Sequence, residues 1–261
     1  MKSINSKKER MSVQLQRLLM MMATIMMAFA TLTACEILED NNDENGKEEE
    51  EGGNGGGGVS GKRLKSSETN SSSPLIMYSK SVCFYNNNGQ CIRSETYDAS
   101  SKLISTTIST YNSNGTLAKT VTNNENDKIV TEVLYSYNSN KTLQKSEDNF
   151  YLDGKLIQTT HWEYTFENGK KISQKYHLEG NSDYGVLTFN YDGNGRRTTT
   201  VLNYYGGDIL LTMTYTRTYN SDGTVQKLTY PVNFVDNTPV TVTFTWENGK
   251  DAIGFDMYNP W

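Results

Sequence analysis

Seven turns at a near-constant spacing constrain this chain more than any other feature. Tyr219-Asn220-Ser221-Asp222-Gly223-Thr224-Val225 reads as a strand that ends in a tight turn and starts again. Asn and Asp hydrogen-bond their own backbone, and Gly supplies the positive φ that such turns need. The pattern recurs at Tyr85-Asn86-Asn87-Asn88-Gly89, Tyr111 to Gly115, Tyr137 to Lys141, Phe166 to Gly169, Tyr191 to Gly195 and Trp246 to Gly249. Numbered by their last residues, the turns fall at 89, 115, 141, 169, 195, 223 and 249, at intervals of 26, 26, 28, 26, 28 and 26. Gly115, Gly195 and Gly223 are therefore predicted at positive φ.

Between these turns the period is two. Ile209, Leu211, Met213, Tyr215 and Tyr219 alternate with Thr212, Thr214, Thr216 and Thr218. Val240, Val242, Phe244 and Trp246 alternate with Thr241, Thr243 and Thr245, and Trp162, Tyr164 and Phe166 with His161, Glu163 and Thr165. Such strands have one dry and one wet face, as antiparallel sheets allow. Weaker turns near Ser101, Asp127, Gly154, Ser182, Gly207 and Asn237 split each unit in two. The expected fold is all-β: an antiparallel meander of about 14 strands in 26-residue, two-strand repeats. An open sheet rarely exceeds ~10 strands, so it must curl strongly or close into a barrel.

The chain upstream of Pro74 has a different character. In residues 1–35, five basic residues against Glu9 give +4, and in residues 36–51 nine carboxylates against Lys47 give −8. The total is −5, so the rest of the chain is left at −1. A nearly neutral body argues against nucleic acid as a partner. Lys7, Lys8, Arg10 and Arg17 precede a 15-residue uncharged run, Leu18 to Leu32, too short to span a bilayer. Residues 36–73 include Glu48 to Glu51, a glycine run and Ser71 to Ser73, and they hold too few apolar residues to offset ordering entropy. The expected organisation is a signal peptide over 1–34, a disordered tether over 35–73 and a β-repeat domain over 74–261.

Leu32-Thr33-Ala34-Cys35 resembles the bacterial lipobox. The resemblance implies that Cys35 is acylated and becomes the mature N-terminus, so that a membrane is a partner through a lipid anchor. The acidic start Glu36, Glu39 and Asp40 resembles the signal that sends Bacteroidota lipoproteins to the outer face of the outer membrane. A plain linker on the periplasmic face is the alternative. Tyr191-Asp192-Gly193-Asn194-Gly195-Arg196-Arg197 resembles the tyrosine–aspartate (YD, or RHS-type) repeats of bacterial surface proteins. The body as a whole resembles Bacteroidota lipoproteins of unknown function with porin-like or barrel-like folds.

Chemistry leaves little trace. His161 and His177 form no constellation with a nucleophile, and His161 shares its face with Glu163 and Thr165 as a solvated strand residue would. No Cys/His spacing suits zinc, and no glycine-rich loop leads into a helix. Asp192 to Gly195 and Asn220 to Gly223 carry oxygen ligands, but lack the bidentate carboxylate a calcium loop uses. No cofactor is expected. Cys83 and Cys91 flank the first turn with equal parity, so they share a face; a disulfide forms across a wide five-residue loop and not across a three-residue one. Tyr204, Tyr205, Tyr258 and Trp261 lie outside the repeat and are the candidate binding aromatics, for a glycan or a protein.

The function expected from these features is that of a cell-envelope lipoprotein with a non-enzymatic binding or structural body. One alternative is an enzyme or ligand carrier that uses the sheet's interior. Another is a membrane-embedded barrel, favoured by Trp261 with Phe255 and Met257 at alternate positions.

Overall fold

The computed structural model describes residues 62–74, 76–206, 209–232 and 237–249. They form fourteen antiparallel strands that close into one barrel, with no helix among the described residues. The strands are β1 (Lys62–Ser71), β2 (Ser79–Tyr85), β3 (Cys91–Tyr97), β4 (Leu103–Tyr111), β5 (Leu117–Asn124), β6 (Ile129–Tyr137) and β7 (Leu143–Leu152). They continue as β8 (Lys155–Glu167), β9 (Lys170–Leu178), β10 (Tyr184–Tyr191), β11 (Arg197–Gly206), β12 (Ile209–Tyr219), β13 (Val225–Pro231) and β14 (Pro239–Asn248). Each pairs with its neighbours in sequence, and β1 closes the ring against β14.

The strand count matches the expectation, but its first member does not. β1 lies in the stretch read as tether, so the folded body includes Lys62–Ser71, upstream of Pro74. Its sequence, KRLKSSETNS, has Leu64 as its one large apolar residue, which is why composition missed it. What orders it is ladder pairing on both sides, with Leu64 opposite Trp246 and Ser67 opposite Ser81. Without β1 the open edges of β2 and β14 would expose unpaired backbone groups. The expected strand beyond Gly249 lies outside the described residues, as do the signal peptide and residues 35–61.

The turns follow the repeat. In the second, the Gly115 amide donates to the Asn112 carbonyl at 3.0 Å and the Asn112 amide to the Thr116 carbonyl at 2.7 Å. This is a type I turn closed by a bulge, with Gly115 at φ 90°; Gly195 and Gly223 stand at 78° and 86° as expected. Lys141 takes the same place at φ 70°, and the pair Asn168 and Gly169, at 51° and 74°, makes a two-residue hairpin turn.

The aromatic residue before five of the seven turns has a repeated task. The hydroxyls of Tyr85, Tyr111, Tyr191 and Tyr219 donate to the carbonyls of Leu64, Cys91, Lys171 and Arg197 at 2.7, 2.8, 2.6 and 2.6 Å. Trp246 Nε1 does the same to the Val225 carbonyl at 2.8 Å. Each ring reaches back to the first inward residue of the preceding unit and ties one repeat to the next. That explains why an aromatic with a polar tip recurs there.

The inside is filled by side chains. Leu64, Leu187, Leu202, Tyr215 and Val240 are all wholly buried, within one contiguous apolar cluster that spans the barrel. The outer face carries cross-strand ion pairs between side chains that point away from the core, such as Lys80 with Glu68 at 2.9 Å, Lys119 with Glu132, and Lys145 with Glu163 at 3.6 Å. A barrel that spans lipid has the reverse arrangement, an apolar outer band around a polar interior. The ion pairs on this outer face are unlike the lipid-facing band of such a barrel.

Candidate functional site

The filled core moves attention to the outer face, where one line of side chains is unlike the rest. Strand pairing sets Glu147 of β7 opposite His161 of β8, and His161 opposite His177 of β9. His177 faces Tyr184 of β10, Tyr184 faces Tyr205 of β11, and Tyr205 faces Leu210 of β12. These residues alternate with buried Ser146, Trp162, Tyr176, Gly185 and Tyr204, so every one points outward. Four rings thus lie side by side across four strands, about 4.8 Å apart from strand to strand.

The rings touch. Tyr184 and Tyr205 stack with centroids 4.7 Å apart and planes at 15°, and His161 and His177 meet at 5.0 Å. Lys175 Nζ lies 4.6 Å above the Tyr184 ring. Glu147 Oε2 stands 3.8 Å from His161 Nδ1, and Leu210 ends the row 58% exposed. Two residues along each strand runs a parallel rail, polar except at Val186: Lys145, Glu163, Lys175, Val186, Asn203 and Thr212. Thr212 Oγ1 donates to Asn203 Oδ1 at 2.8 Å. A flat strip of ring faces beside a rail of donors and acceptors can stack on an apolar face and hydrogen-bond to hydroxyls along its edge.

The expected site residues divide. Tyr205 belongs to the row. Tyr204, its neighbour in sequence, points inward, where it is buried and donates from its hydroxyl to Asp183 Oδ2 at 2.7 Å, so it offers no binding surface. Consecutive strand residues face opposite sides, and only one of the two could have pointed out. Tyr258, Trp261 and Cys35 lie outside the described residues. His161 and His177 are outward, as expected for His161. They escaped notice as ring partners because their contact depends on the β8–β9 register and not on sequence proximity.

Cys83 and Cys91 share the inward face, and no disulfide joins them. The loop between them is the tight one, with Gly89 at φ 81°, Tyr85 opposite Cys91 and Cys83 opposite Ser94. The Cys83 thiol beside it holds the Cys91 thiol below its ordinary value. The carboxylates of the two calcium-like loops are taken up by the turns themselves. Asp192 Oδ1 accepts from the amides of Asn194 and Arg196, both at 2.9 Å, and Asp222 Oδ1 from the Thr224 hydroxyl at 2.6 Å.

Inside, burial pushes the phenols of Tyr176, Tyr215 and Tyr230 far above their ordinary range. These hydroxyls stay neutral at any physiological pH. An open depression of about 550 Å³ lies on the wall near β2 and β3, lined by Tyr78, Lys80, Val82, Tyr97 and Asp98, away from the ring row. The Tyr97 hydroxyl, which lies beside it, donates to the Glu95 carboxylate, which raises the phenol above its ordinary value.

No protein-family model and no curated protein matches the sequence. Among solved structures, the chain is similar to a porin-like protein from Bacteroides uniformis, at 14% identity and a TM-score of 0.42 over 70% of this chain and 98% of that one. The Photorhabdus luminescens Tc holotoxin pore matches at 11% identity and a TM-score of 0.30, over 62% of this chain and 12% of that one. A TcdB2–TccC3 structure matches at 16% identity and a TM-score of 0.27, over 66% and 10%. All three scores fall below 0.5, and the barrel is defined by its strand order and register and not by these likenesses.

Proposed function

We propose that this protein is a cell-envelope lipoprotein whose barrel is a non-enzymatic binding body, with the outer ring row as its contact surface for a glycan. The row of four rings across β8 to β11, beside a polar rail and on a barrel with a filled core, carries this reading. A sugar ring offers an apolar face to a stacked tyrosine and hydroxyls to the rail, and a chain of sugars would engage several rings together. The lipobox-like Leu32 to Cys35 and the acidic glycine-rich stretch after it support a lipid anchor and a tether on the outer membrane. The charged outer wall suits a body held off the membrane rather than in it.

Affinity electrophoresis through gels that contain soluble polysaccharides tests the surface. The wild type should be retarded by at least one of them, and the Tyr184→Ala/Tyr205→Ala variant should run unretarded with its melting temperature little changed. Equal retardation of the two proteins would refute the ring row as the site. A protein partner is the second reading, favoured by the exposed Leu210 at the row's end. Cys35→Ser tests the anchor: the variant should lose lipid label and leave the membrane fraction. Protease accessibility in intact cells then separates the outer surface from the periplasmic face.

A further inference from the structure

The chain has two histidines, and the fold sets them opposite each other. His161 of β8 and His177 of β9 are direct cross-strand partners on the outer wall, with ring centroids 5.0 Å apart and planes at 31°. Elsewhere on this wall carboxylates meet lysine across strands, as in Lys80 with Glu68, Lys119 with Glu132 and Lys145 with Glu163. Here Glu147 of β7 meets an imidazole instead, and a second imidazole follows on the next strand.

The carboxylate is held in place from behind. Asn149 Nδ2 donates to Glu147 Oε1 at 3.1 Å, and Thr159 Oγ1 donates to Asn149 Oδ1 at 2.7 Å. Asn149 and Thr159 share the outward parity of Glu147 and His161, yet both are buried, at 7% and 5% exposure. This relay fixes one carboxylate oxygen and leaves the other, Oε2, 3.8 Å from His161 Nδ1. A carboxylate beside one ring nitrogen selects the tautomer that presents the other, and metal-binding histidines are commonly oriented in this way.

We propose that His161 and His177 hold a divalent transition-metal ion of the zinc and copper class, with Glu147 as the residue that positions His161. Imidazole nitrogens suit these ions, whereas calcium and magnesium take oxygen. Two bonds of about 2.0–2.1 Å require the ligating nitrogens to lie within about 4.2 Å of each other. Partly exposed rings with centroids 5.0 Å apart can turn one nitrogen each into that span. Among the described residues no third ligating side chain completes a cluster, so water or a ligand oxygen fills the remaining positions. The β8–β9 register, and not sequence spacing, makes the pair. The site does not depend on the glycan reading, because Tyr184 and Tyr205 take no part in it.

The experiment follows both imidazoles by NMR in the full chain without an affinity tag, with zinc chloride as the probe. Two histidines give two sets of ring signals, so no other imidazole obscures the readout. Equimolar zinc should shift both rings together, with His161 bound through Nε2 and its Nδ1 still protonated. His161→Ala and His177→Ala should each weaken zinc binding and leave the melting temperature little changed. Glu147→Gln should weaken it roughly 10–100-fold and free the His161 tautomer, which the ring nitrogen shifts report and a merely structural role would not alter. Unchanged affinity and tautomer in that variant would overturn the role given to Glu147. Rings that respond independently, rings that stay still up to about 1 mM zinc, or histidine variants that bind as tightly as the wild type would overturn the site itself. The joint shift is read in the wild type and needs no variant to fold.

Discussion

The two walls of the barrel fill its interior in opposite ways. From β8 to β14 the inward residues are large, with Trp162, Tyr176, Phe189, Tyr215, Tyr230 and Phe244 among them. From β2 to β6 they are mostly small hydroxyls, with Ser81, Ser94, Thr96, Thr107, Thr120 and Thr122 all buried. The hydroxyls bond to each other across strands, Ser81 with Thr96 at 3.0 Å and Thr107 with Thr122 at 2.9 Å. One wall supplies the volume and the other supplies a close-packed lining of small side chains, and together they fill the core. Large against small is how facing surfaces reach interior density.

The difference predicts how each wall breaks. Tyr215 is wholly buried in the ring wall, so Tyr215→Ala should cost on the order of 3–5 kcal/mol through lost transfer energy and a cavity. Urea unfolding measures it, and a loss below about 1 kcal/mol would show that the ring wall is loosely packed. The same wall resists addition. A Cβ on Gly185 would stand 2.1 Å from Tyr176 Cε1, against a ring that is itself buried, so Gly185→Ala should cost about 1–3 kcal/mol by overpacking.

The turns come next. Gly223 stands at φ 86°, where a β-branched side chain fits poorly, and Gly223→Val should lose about 1–2 kcal/mol. The hydroxyl wall should give less and in a different form. Thr107→Val leaves the Thr122 hydroxyl without this bond and should cost about 1 kcal/mol, whereas Thr107→Val/Thr122→Val should be close to neutral. A double-mutant cycle that gives simple additivity would deny that the pair acts as a unit.

These contrasts also mark what the sequence could and could not disclose. The period of two, a glycine in six of the seven turns and an aromatic before all seven are local signals, and so the strand count and closure were legible. β1 was not, because Lys62 to Ser71 has almost no apolar pattern and is ordered by partners up to 186 residues away, as in the pair Lys62 and Asn248. The ring row was half legible. Tyr205 stood out by falling outside the repeat, but His161, His177 and Tyr184 become neighbours only through register across strands. Lys171, Arg197 and Arg217 are buried on the apolar parity of their strands, a departure from the pattern that the sequence itself displays.

The smallest effect separates two kinds of turn that are otherwise alike. Asp98 and Asp192 open their turns where Asn86, Asn112, Asn138 and Asn220 open others, and each uses Oδ1 to accept from its own loop. The Ser100 hydroxyl holds the Asp98 carboxyl below its ordinary value of 3.8, and the Arg196 amide does the same for Asp192. A carboxyl whose folded value is depressed adds stability that is present above its unfolded value and is lost as pH falls through the folded one. These turns should therefore weaken as pH drops below about 4, while the asparagine turns do not titrate. Asp98→Asn/Asp192→Asn keeps the side-chain acceptor and removes the titration. Its melting temperature should fall less steeply than the wild type's between about pH 4.5 and pH 2.5, because the other carboxylates are common to both proteins. Parallel curves would mean that the two aspartate turns are held by their backbone bonds, Ser101 to Asp98 and Gly195 to Asp192, both at 3.0 Å, and that charge in the side chain adds nothing to them.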